Sequence, residues 1–175
     1  MMARLFSALV PPEAVVADLA ARVAEVDSVV STLRWTPAQR WHVTLGFFGD
    51  SDDPRRRTAW LRRRAQGLTA PRLRLAGGGT FPGALWVGVV AATDDDVRVL
   101  ARLAKAAGAG RQGYRPHLTV ARWRAGQPDK GILRDLFADY LGPWFTPMDV
   151  VLMHSLRAAS GLVYTPLDRV PLRAV

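Results

Sequence analysis

The chain has three histidines, and two of them stand in the same short sequence context. "WHVTLGFF" runs from Trp41 to Phe48 and "RPHLTVAR" from Arg115 to Arg122, so each histidine is followed by an aliphatic residue, a threonine and another aliphatic residue. Imidazole donates or accepts a proton near neutral pH, so two of them can act as an acid and a base. Threonine hydroxyls and an arginine can bind phosphate oxygens. The repeat therefore predicts phosphoryl-transfer chemistry, with hydrolysis of a cyclic phosphodiester as the simplest case.

Both motifs read as β-strands because they are rich in β-branched and aromatic residues. In a strand, residues two positions apart project from the same face, so His42 projects with Thr44 and His117 with Thr119. The intervening aliphatic residues are then expected to face a core: Val43, Leu45, Leu118 and Val120. If a pseudo-twofold axis relates the two strands, both His-Thr pairs line one cleft.

The elements around the first motif follow a strand and helix order. A strand is predicted at Leu5–Val10 and a helix from Pro12 to about Val30, where apolar residues recur at helical spacing. After the His42 strand, "SDDPRRRTAWLRRRAQG" predicts a helix that begins with acidic residues before Pro54. A short strand is predicted at Leu73–Leu75, and Gly77–Gly79 is interpreted as a turn.

The same order recurs around the second motif. "LWVGVV" predicts a buried strand, Thr93 opens a helix that ends near Gly108, and Pro116–Ala121 forms the second His-Thr strand. A helix over Asp129–Leu141 and two closing strands, Met148–Leu156 and Leu162–Leu167, complete the chain. The recurrence predicts an α+β fold, duplicated into two lobes that face each other.

Composition limits the class of protein. A chain of 175 residues with 49% hydrophobic content predicts one domain spanning residues 1–175. The absence of cysteine excludes disulfides and thiolate chemistry, and the apolar run Leu5–Val10 is too short for a signal peptide or membrane span, so we expect a cytoplasmic protein. We also expect a monomer. The net charge of +9, carried almost wholly by arginine, favours polyanionic partners such as RNA or nucleotides.

The motifs "HVTL" and "HLTV" resemble the paired signatures of the two-histidine phosphoesterase superfamily, and longer segments resemble its RNA 2′,3′-cyclic phosphodiesterase branch, also called 2′-5′ RNA ligase. These segments are "RLFSALVPP", "LRWTPAQRWHVTLGFFGD", "GTFPGALWVGV", "YRPHLTVAR" and "HSLRAASGLVY". In the last, Ser155, Leu156, Gly161 and Tyr164 fit the family pattern. "FPGALW" departs from the family, which often has an arginine between this proline and tryptophan.

The resemblance implies a bilobal fold in which two antiparallel sheets face a central cleft and the helices lie outside. It implies no metal or other cofactor, and attack by water on a 2′,3′-cyclic phosphate end to give a 2′-phosphate. His42 would protonate the leaving 3′ oxygen and His117 would activate the water. The implied phosphate-binding and nucleoside-binding residues are Thr44, Thr119, Arg122 and Phe47.

Three other functions stay open at this stage. A two-histidine metal site is disfavoured because neither motif has a nearby ligand carboxylate and the chain has no cysteine. A noncatalytic protein could use the same cleft to recognise RNA ends. Ligation of 2′-5′ ends would use the same phosphoryl-transfer chemistry in the direction that forms a phosphodiester.

Several residues also have a structural interpretation. His154 in "VLMHSL" is expected to be a hydrogen-bonded structural residue, and the residue type of Phe47 favours a core position. Arg55–Arg57 and Arg62–Arg64 lie two helical turns apart and predict one basic ridge. For this ridge a solvated outer face is favoured over an RNA contact.

Overall fold

The fold is an antiparallel sheet with helices packed on it, in a computed structural model that describes residues 4–50, 53–110, 113–124, 126, 128–159 and 161–174. The strands are β1 (Arg4–Leu9), β2 (Arg34–Trp35), β3 (Val43–Gly49), β4 (Leu73–Phe81), β5 (Ala84–Ala91), β6 (His117–Arg122), β7 (Asp149–Ala158) and β8 (Gly161–Pro171). The helices are α1 (Glu13–Val26), α2 (Pro54–Ala65), α3 (Asp94–Ala106) and α4 (Lys130–Asp135). No helix within these residues is long and apolar enough to cross a membrane.

Neighbouring strands follow the order β4-β5-β6-β3-β1-β7-β8, and β2 pairs with β6. The sequence predicted two sheets, whereas hydrogen bonding joins all eight described strands into one. The join is narrow, because Val43 of β3 and Leu118 of β6 form the one aligned pair between these strands in the described part of the chain. One edge of β3 is occupied by β1 and one edge of β6 by β5, so their remaining edges meet. The broader prediction of an α+β fold with a large antiparallel sheet is confirmed.

One face of the sheet carries the core. Alternate strand residues and the apolar faces of the helices form a single buried cluster, as period-two and helical spacing predicted. Its fully buried members include Leu9, Leu19, Leu61, Leu75, Leu103 and Leu118. The helices therefore cover this face and leave the opposite face of β3 and β6 open to a ligand.

Side-chain caps begin α2 and α3 where the sequence predicted helix starts. The carboxylate of Asp53 accepts hydrogen bonds from the backbone N–H groups of Arg55 and Arg56 at 2.8 and 3.3 Å. The Thr93 hydroxyl accepts one from the N–H of Asp96 at 3.1 Å. Such caps satisfy N–H groups that have no partner within the helix.

Gly77–Gly79 lie inside β4, so the prediction of a turn there is wrong. Gly77 has a φ of 65° and sits at a register shift between Ala76 and Gly78, where β4 accommodates an extra residue. The indole of Trp86 covers Gly79, since a Cβ there would lie 2.2 Å from the ring. These glycines admit a bulge and an aromatic ring, which are long-range features that local sequence does not reveal.

α4 is shorter than the predicted helix over Asp129–Leu141. Beyond Asp135 the backbone changes to tighter bonds, in which the N–H of Phe137 donates to Arg134 and that of Tyr140 to Phe137. Both aromatic side chains are buried. Tertiary burial of these rings therefore overrides the helical period of the sequence.

The end of α3 is pressed against β3 close to the first His-Thr motif. A Cβ on Gly46 would lie 2.4 Å from the carbonyl oxygen of Ala107 and 2.6 Å from the carbonyl carbon of Gly108. The buried Ser7 hydroxyl donates to the same Ala107 carbonyl at 2.6 Å. The Tyr114 hydroxyl donates to the carbonyl of Thr44 at 2.9 Å, and burial raises the pKa of Tyr114. These contacts hold β3 in place from behind.

Replacing Gly46 by Ala is expected to destabilise the protein by about 1–3 kcal/mol, because the added methyl meets backbone rather than a movable side chain. Gly110→Ala is the matched control, since a Cβ at Gly110 meets nothing within 4 Å. Chemical denaturation of both variants measures the difference. Equal stability of the two variants would contradict the close packing of α3 on β3.

Candidate active site

The two His-Thr motifs meet at the junction of β3 and β6. Val43 pairs with Leu118 in antiparallel register, so the same register extended by one residue sets His42 opposite Thr119 and Thr44 opposite His117. Residues directly opposite each other in an antiparallel pair project from the same face. The four side chains therefore form one cluster, with the two imidazoles at diagonal positions.

The four cluster side chains are partly exposed, whereas their neighbours are buried on the other face. Val43, Leu118 and Val120 are 0% exposed and Leu45 is 2% exposed. The prediction that these aliphatic residues face the core is confirmed. The strand period thus separates the face that carries His42, Thr44, His117 and Thr119, called the histidine face below, from the packed face.

Both imidazoles are held in the same way by the backbone. Nδ1 of His42 lies 2.7 Å from the carbonyl oxygen of Arg40, and Nδ1 of His117 lies 2.8 Å from that of Arg115. A carbonyl oxygen only accepts hydrogen bonds, so Nδ1 carries the proton in each ring. Nε2 is therefore the atom of each histidine that is left to exchange protons with a ligand.

The His42 imidazole packs between two aromatic rings that are distant in sequence. The Phe6 ring lies 4.8 Å away from it and the Tyr164 ring lies 5.3 Å away, edge-on. Sequence reasoning assigned no role to either residue, although both lie in segments that carry the family resemblance. The signal was present in the pattern, but only the pairing of β1 with β3 and β7, and of β7 with β8, places these rings beside the histidine.

The pKa of His42 is lowered, chiefly because burial disfavours its charged form. The hydrogen bond to the Arg40 carbonyl opposes this shift, while the positive charges of His117 and Arg122 add to it. In the free protein at pH 7, His42 is therefore a neutral base. A bound phosphate would offset the neighbouring cations and favour the protonated ring.

The His117 imidazole has its own aromatic neighbours. The Phe81 ring lies 4.9 Å away, edge-on, and the Trp86 indole lies 6.1 Å away. Neither residue was identified from the sequence as part of the site. Trp86 reaches it because β5 pairs with β6 in a register that sets Trp86 opposite Thr119.

The three side chains predicted to bind phosphate, Thr44, Thr119 and Arg122, lie on the two strands that carry the histidine motifs. Within the described residues, the hydroxyls of Thr44 and Thr119 have no hydrogen-bond partner, so they are available to phosphate oxygens. Arg122 is exposed at the end of β6, and its guanidinium is close enough to lower the pKa of His42. The site therefore presents neutral donors together with a cation.

Phe47 occupies an exposed position instead of the core position that its residue type favoured. Its side chain is 60% exposed. The register between β1 and β3 shifts between Ser7 and Ala8, so Leu45 is an extra residue and Phe47 falls opposite Phe6. Since Phe6 contacts the His42 ring, the bulge turns Phe47 onto the histidine face.

His154 lies outside the cluster. It pairs with the fully buried Leu5, and so projects from the opposite face to Phe6 and His42. This placement agrees with a structural residue, but the buried Nε2 atom has no hydrogen-bond partner in the described part of the chain. Those residues also contain no cluster of three or more histidines and carboxylates that could hold a metal ion.

The basic ridge of α2, formed by Arg55–Arg57 and Arg62–Arg64, makes several contacts within the protein. Arg62 pairs with Asp168 through two contacts of 2.8 and 2.6 Å, and Arg64 donates to the carbonyls of Ala106 and Lys105 at 2.9 and 3.3 Å. Arg57 stacks on aromatic rings. Half of the six arginines thus have intramolecular roles, so the ridge is not a uniform charged surface.

The shifted pKa of His42 makes a prediction for titration. His42 should titrate below 6.5 in the free protein, and binding of inorganic phosphate should raise that value. The unfolded chain then binds the proton more readily, so the free energy of unfolding should decrease as the pH falls through about 6.5 toward the folded pKa. Imidazole NMR measures the first effect. The pH dependence of the free energy of unfolding should diminish in His42→Gln. A His42 pKa above 6.5 would contradict the burial argument.

Comparison with known proteins agrees with this geometry. Residues 11–158 match the 2′-5′ RNA ligase superfamily. The fold resembles that of TT0787 of Thermus thermophilus, with 25% identity, a TM-score of 0.76 and 98% of each chain covered. It also resembles E. coli LigT complexed with 3′-AMP, with 21% identity, a TM-score of 0.71, and 98% of this chain and 99% of LigT covered. No curated protein sequence matches significantly. Because the matched region spans most of its length and contains both His-Thr strands, this chain belongs to the 2′-5′ RNA ligase superfamily of two-histidine phosphoesterases.

Proposed function

We propose that the protein is a metal-independent RNA 2′,3′-cyclic phosphodiesterase that opens cyclic phosphate ends to 2′-phosphates. The observation that carries this proposal is the matched pair of imidazoles. Both donate Nδ1–H to a backbone carbonyl, and both lie on one face beside threonine hydroxyls without protein partners among the described residues. Superfamily membership supports action on phosphodiesters in general. Crystal complexes of LigT with ATP, NADP+ and 3′-AMP support a nucleotide ligand.

The proposed reaction is an in-line displacement at phosphorus. Nε2 of His117 takes a proton from water as its oxygen bonds to phosphorus, and the bond from phosphorus to the 3′ oxygen breaks. Nε2 of His42 gives a proton to that leaving oxygen. His117 ends protonated and His42 neutral, so exchange with solvent restores the starting state. The histidine pair carries one positive charge before and after the reaction.

The lowered pKa of His42 constrains this assignment. The acid role needs a protonated His42, whereas burial and nearby cations favour the neutral ring in the free protein. Binding of an anionic phosphate beside Arg122 would have to raise the pKa of His42 before reaction. The opposite assignment, with His42 as base and His117 as acid, would use His42 in the neutral form that the free protein favours. A 3′-phosphate product would count against the first assignment.

Threonine and arginine would stabilise the transition state. The hydroxyls of Thr44 and Thr119 can donate to nonbridging oxygens, and Arg122 can offset their negative charge. Their positions on the strands are set before the ligand arrives, so little reorganisation is required. The exposed ring of Phe47 can contact the nucleoside.

We also propose that the two halves of the sheet are duplicated lobes bordering one cleft. The strand order supports this, because β3 and β6 meet at the centre and are flanked by β1 and β5, the first strands of their own halves. The third strands are exchanged, since β4 pairs with β5 and β7 with β1. A pseudo-twofold axis through the β3–β6 junction would relate the histidines.

Turnover of a panel of 2′,3′-cyclic nucleotides and cyclic-phosphate-ended oligonucleotides tests the proposal. His42→Ala and His117→Ala should each lower kcat by about 10²–10⁴, or about 3–5 kcal/mol of barrier, because each removes a proton-transfer group. The fold decrease in kcat of the double variant should be smaller than the product of the fold decreases of the two single variants. His154→Ala is the matched control, since His154 lies on the other face.

A folded His42→Ala or His117→Ala variant with near-normal turnover would overturn the paired-histidine mechanism. Binding of cyclic-phosphate ends without turnover by the unaltered protein would indicate a noncatalytic RNA-end-binding protein. Joining of RNA halves in place of hydrolysis would indicate a 2′-5′ ligase.

The product of hydrolysis should be a 2′-phosphate with a free 3′ hydroxyl, if the 3′ oxygen lies at His42. Water and leaving oxygen must occupy opposite sides of phosphorus, and the two imidazoles lie on two strands that meet from opposite halves of the sheet. Phosphorus NMR against authentic 2′- and 3′-nucleotides identifies the product. A 3′-phosphate product would mean that the ligand binds in the opposite sense or that His42 and His117 exchange roles.

A further inference from the structure

A strip of the sheet leads away from His117 toward β4. The strand register sets His117 opposite Gly88, and Gly88 opposite Ala76, so these three residues form a row across β6, β5 and β4 on the histidine face. Two of the three have side chains no larger than a methyl group. Next to the row, the Trp86 indole lies over Gly79. The strip is thus a floor of small residues and one aromatic ring.

Arginines border this floor. Extending the same register by two residues sets Arg115 opposite Val90, and Val90 is paired with Arg74. The Arg115 guanidinium lies 5.9 Å from the Trp86 ring, and that of Arg74 lies 4.4 Å from the ring of Trp144. Trp144 stays 37% exposed. The row therefore ends at a stacked cation and an aromatic ring that solvent can reach.

The charge of this border is not neutralised within the fold. In the part of the chain that the structure describes, no carboxylate pairs with the side chains of Arg74 or Arg115, and the buried Nε of Arg74 has no hydrogen-bond partner. Arg115 is exposed and Arg74 is partly exposed, so these two guanidinium groups without a carboxylate partner favour a ligand with anionic oxygens. A nucleic acid strand supplies acceptor oxygens in its phosphodiesters and stacking surfaces in its bases.

We propose that this strip, defined by Gly88, Ala76, Arg74, Arg115 and Trp144, binds the RNA strand that precedes the terminal phosphate. Arg74 and Arg115 contact backbone phosphates and Trp144 stacks on a base, which is how sequence-tolerant single-strand sites work. The inference rests on the proposed function, because the terminal phosphate anchors the strand. It adds a contact surface for nucleotides that do not react.

The histidine face is a better route for RNA than the arginines of α2. α2 buries Leu61 in the core that lies behind the histidines, so it covers the opposite face of the sheet. Arg62 and Arg64 are already bound to Asp168 and to the end of α3. The strip, in contrast, is continuous with His117 through the pairing of β6 with β5 and of β5 with β4.

The test compares a 2′,3′-cyclic mononucleotide with an oligonucleotide of about eight nucleotides that carries the same terminal cyclic nucleotide. Arg74→Gln and Trp144→Ala should each lower kcat/KM for the oligonucleotide by about tenfold, mainly through KM, and change that for the mononucleotide by less than about twofold. Arg74→Gln should also weaken the salt dependence of oligonucleotide turnover. Arg63→Gln on α2 is the control of equal charge change and should affect neither substrate.

If Arg74→Gln and Trp144→Ala lower kcat/KM equally for both substrates, or do not lower it for the oligonucleotide, the strip does not bind RNA. If Arg63→Gln alone lowers kcat/KM for the oligonucleotide, the RNA binds on α2 instead. If no cyclic phosphate is hydrolysed, the proposed function fails, but fluorescence anisotropy with a labelled 3′-phosphate-ended oligonucleotide still tests the strip. In that assay Arg74→Gln should bind about tenfold more weakly than Arg63→Gln, and equal binding would contradict the inference.

Discussion

The pairing of Val43 with Leu118 is the constraint on which the site depends. It is the only aligned pair between β3 and β6 in the described residues, yet it sets each histidine opposite the threonine of the other motif. A slip of one residue would turn one histidine and one threonine toward the core. So narrow a join cannot hold this register by itself. Its support comes from β1 and β5 on either side and from the buried leucines and valines behind both strands.

The two histidines share a tether and differ in their surroundings. In each motif the carbonyl two residues earlier fixes the tautomer, so the repeat in sequence becomes a repeat in hydrogen bonding. His42 is enclosed by Phe6 and Tyr164, whereas the bond at His117 is exposed to solvent. A symmetric motif is thereby placed in an asymmetric setting. In the free protein this setting favours the neutral form of His42, whose pKa is lowered chiefly by burial.

Errors in the sequence-based predictions came from contacts between distant segments. Period two correctly assigned Val43 and Leu118 to the core, since alternation is a local property of a strand. The core position that residue type favoured for Phe47 was wrong, because a bulge opposite β1 changes the face of β3 beyond Leu45. The turn predicted at Gly77–Gly79 was wrong because these glycines accept a bulge and the Trp86 ring. The two predicted sheets became one because the free edges of β3 and β6 could pair.

The sequence by itself determined which side chains are candidates for the chemistry and which face of the strands the histidines and threonines of the two motifs take, because residue type and strand period are local properties. It also indicated the family, since the quoted segments extend along nearly all of the chain. Only the tertiary structure decided the β3–β6 register, the aromatic rings beside each imidazole and the lowered pKa of His42. Those features arise from residues far apart in the chain, whose meeting depends on how the shared core packs and not on any local pattern.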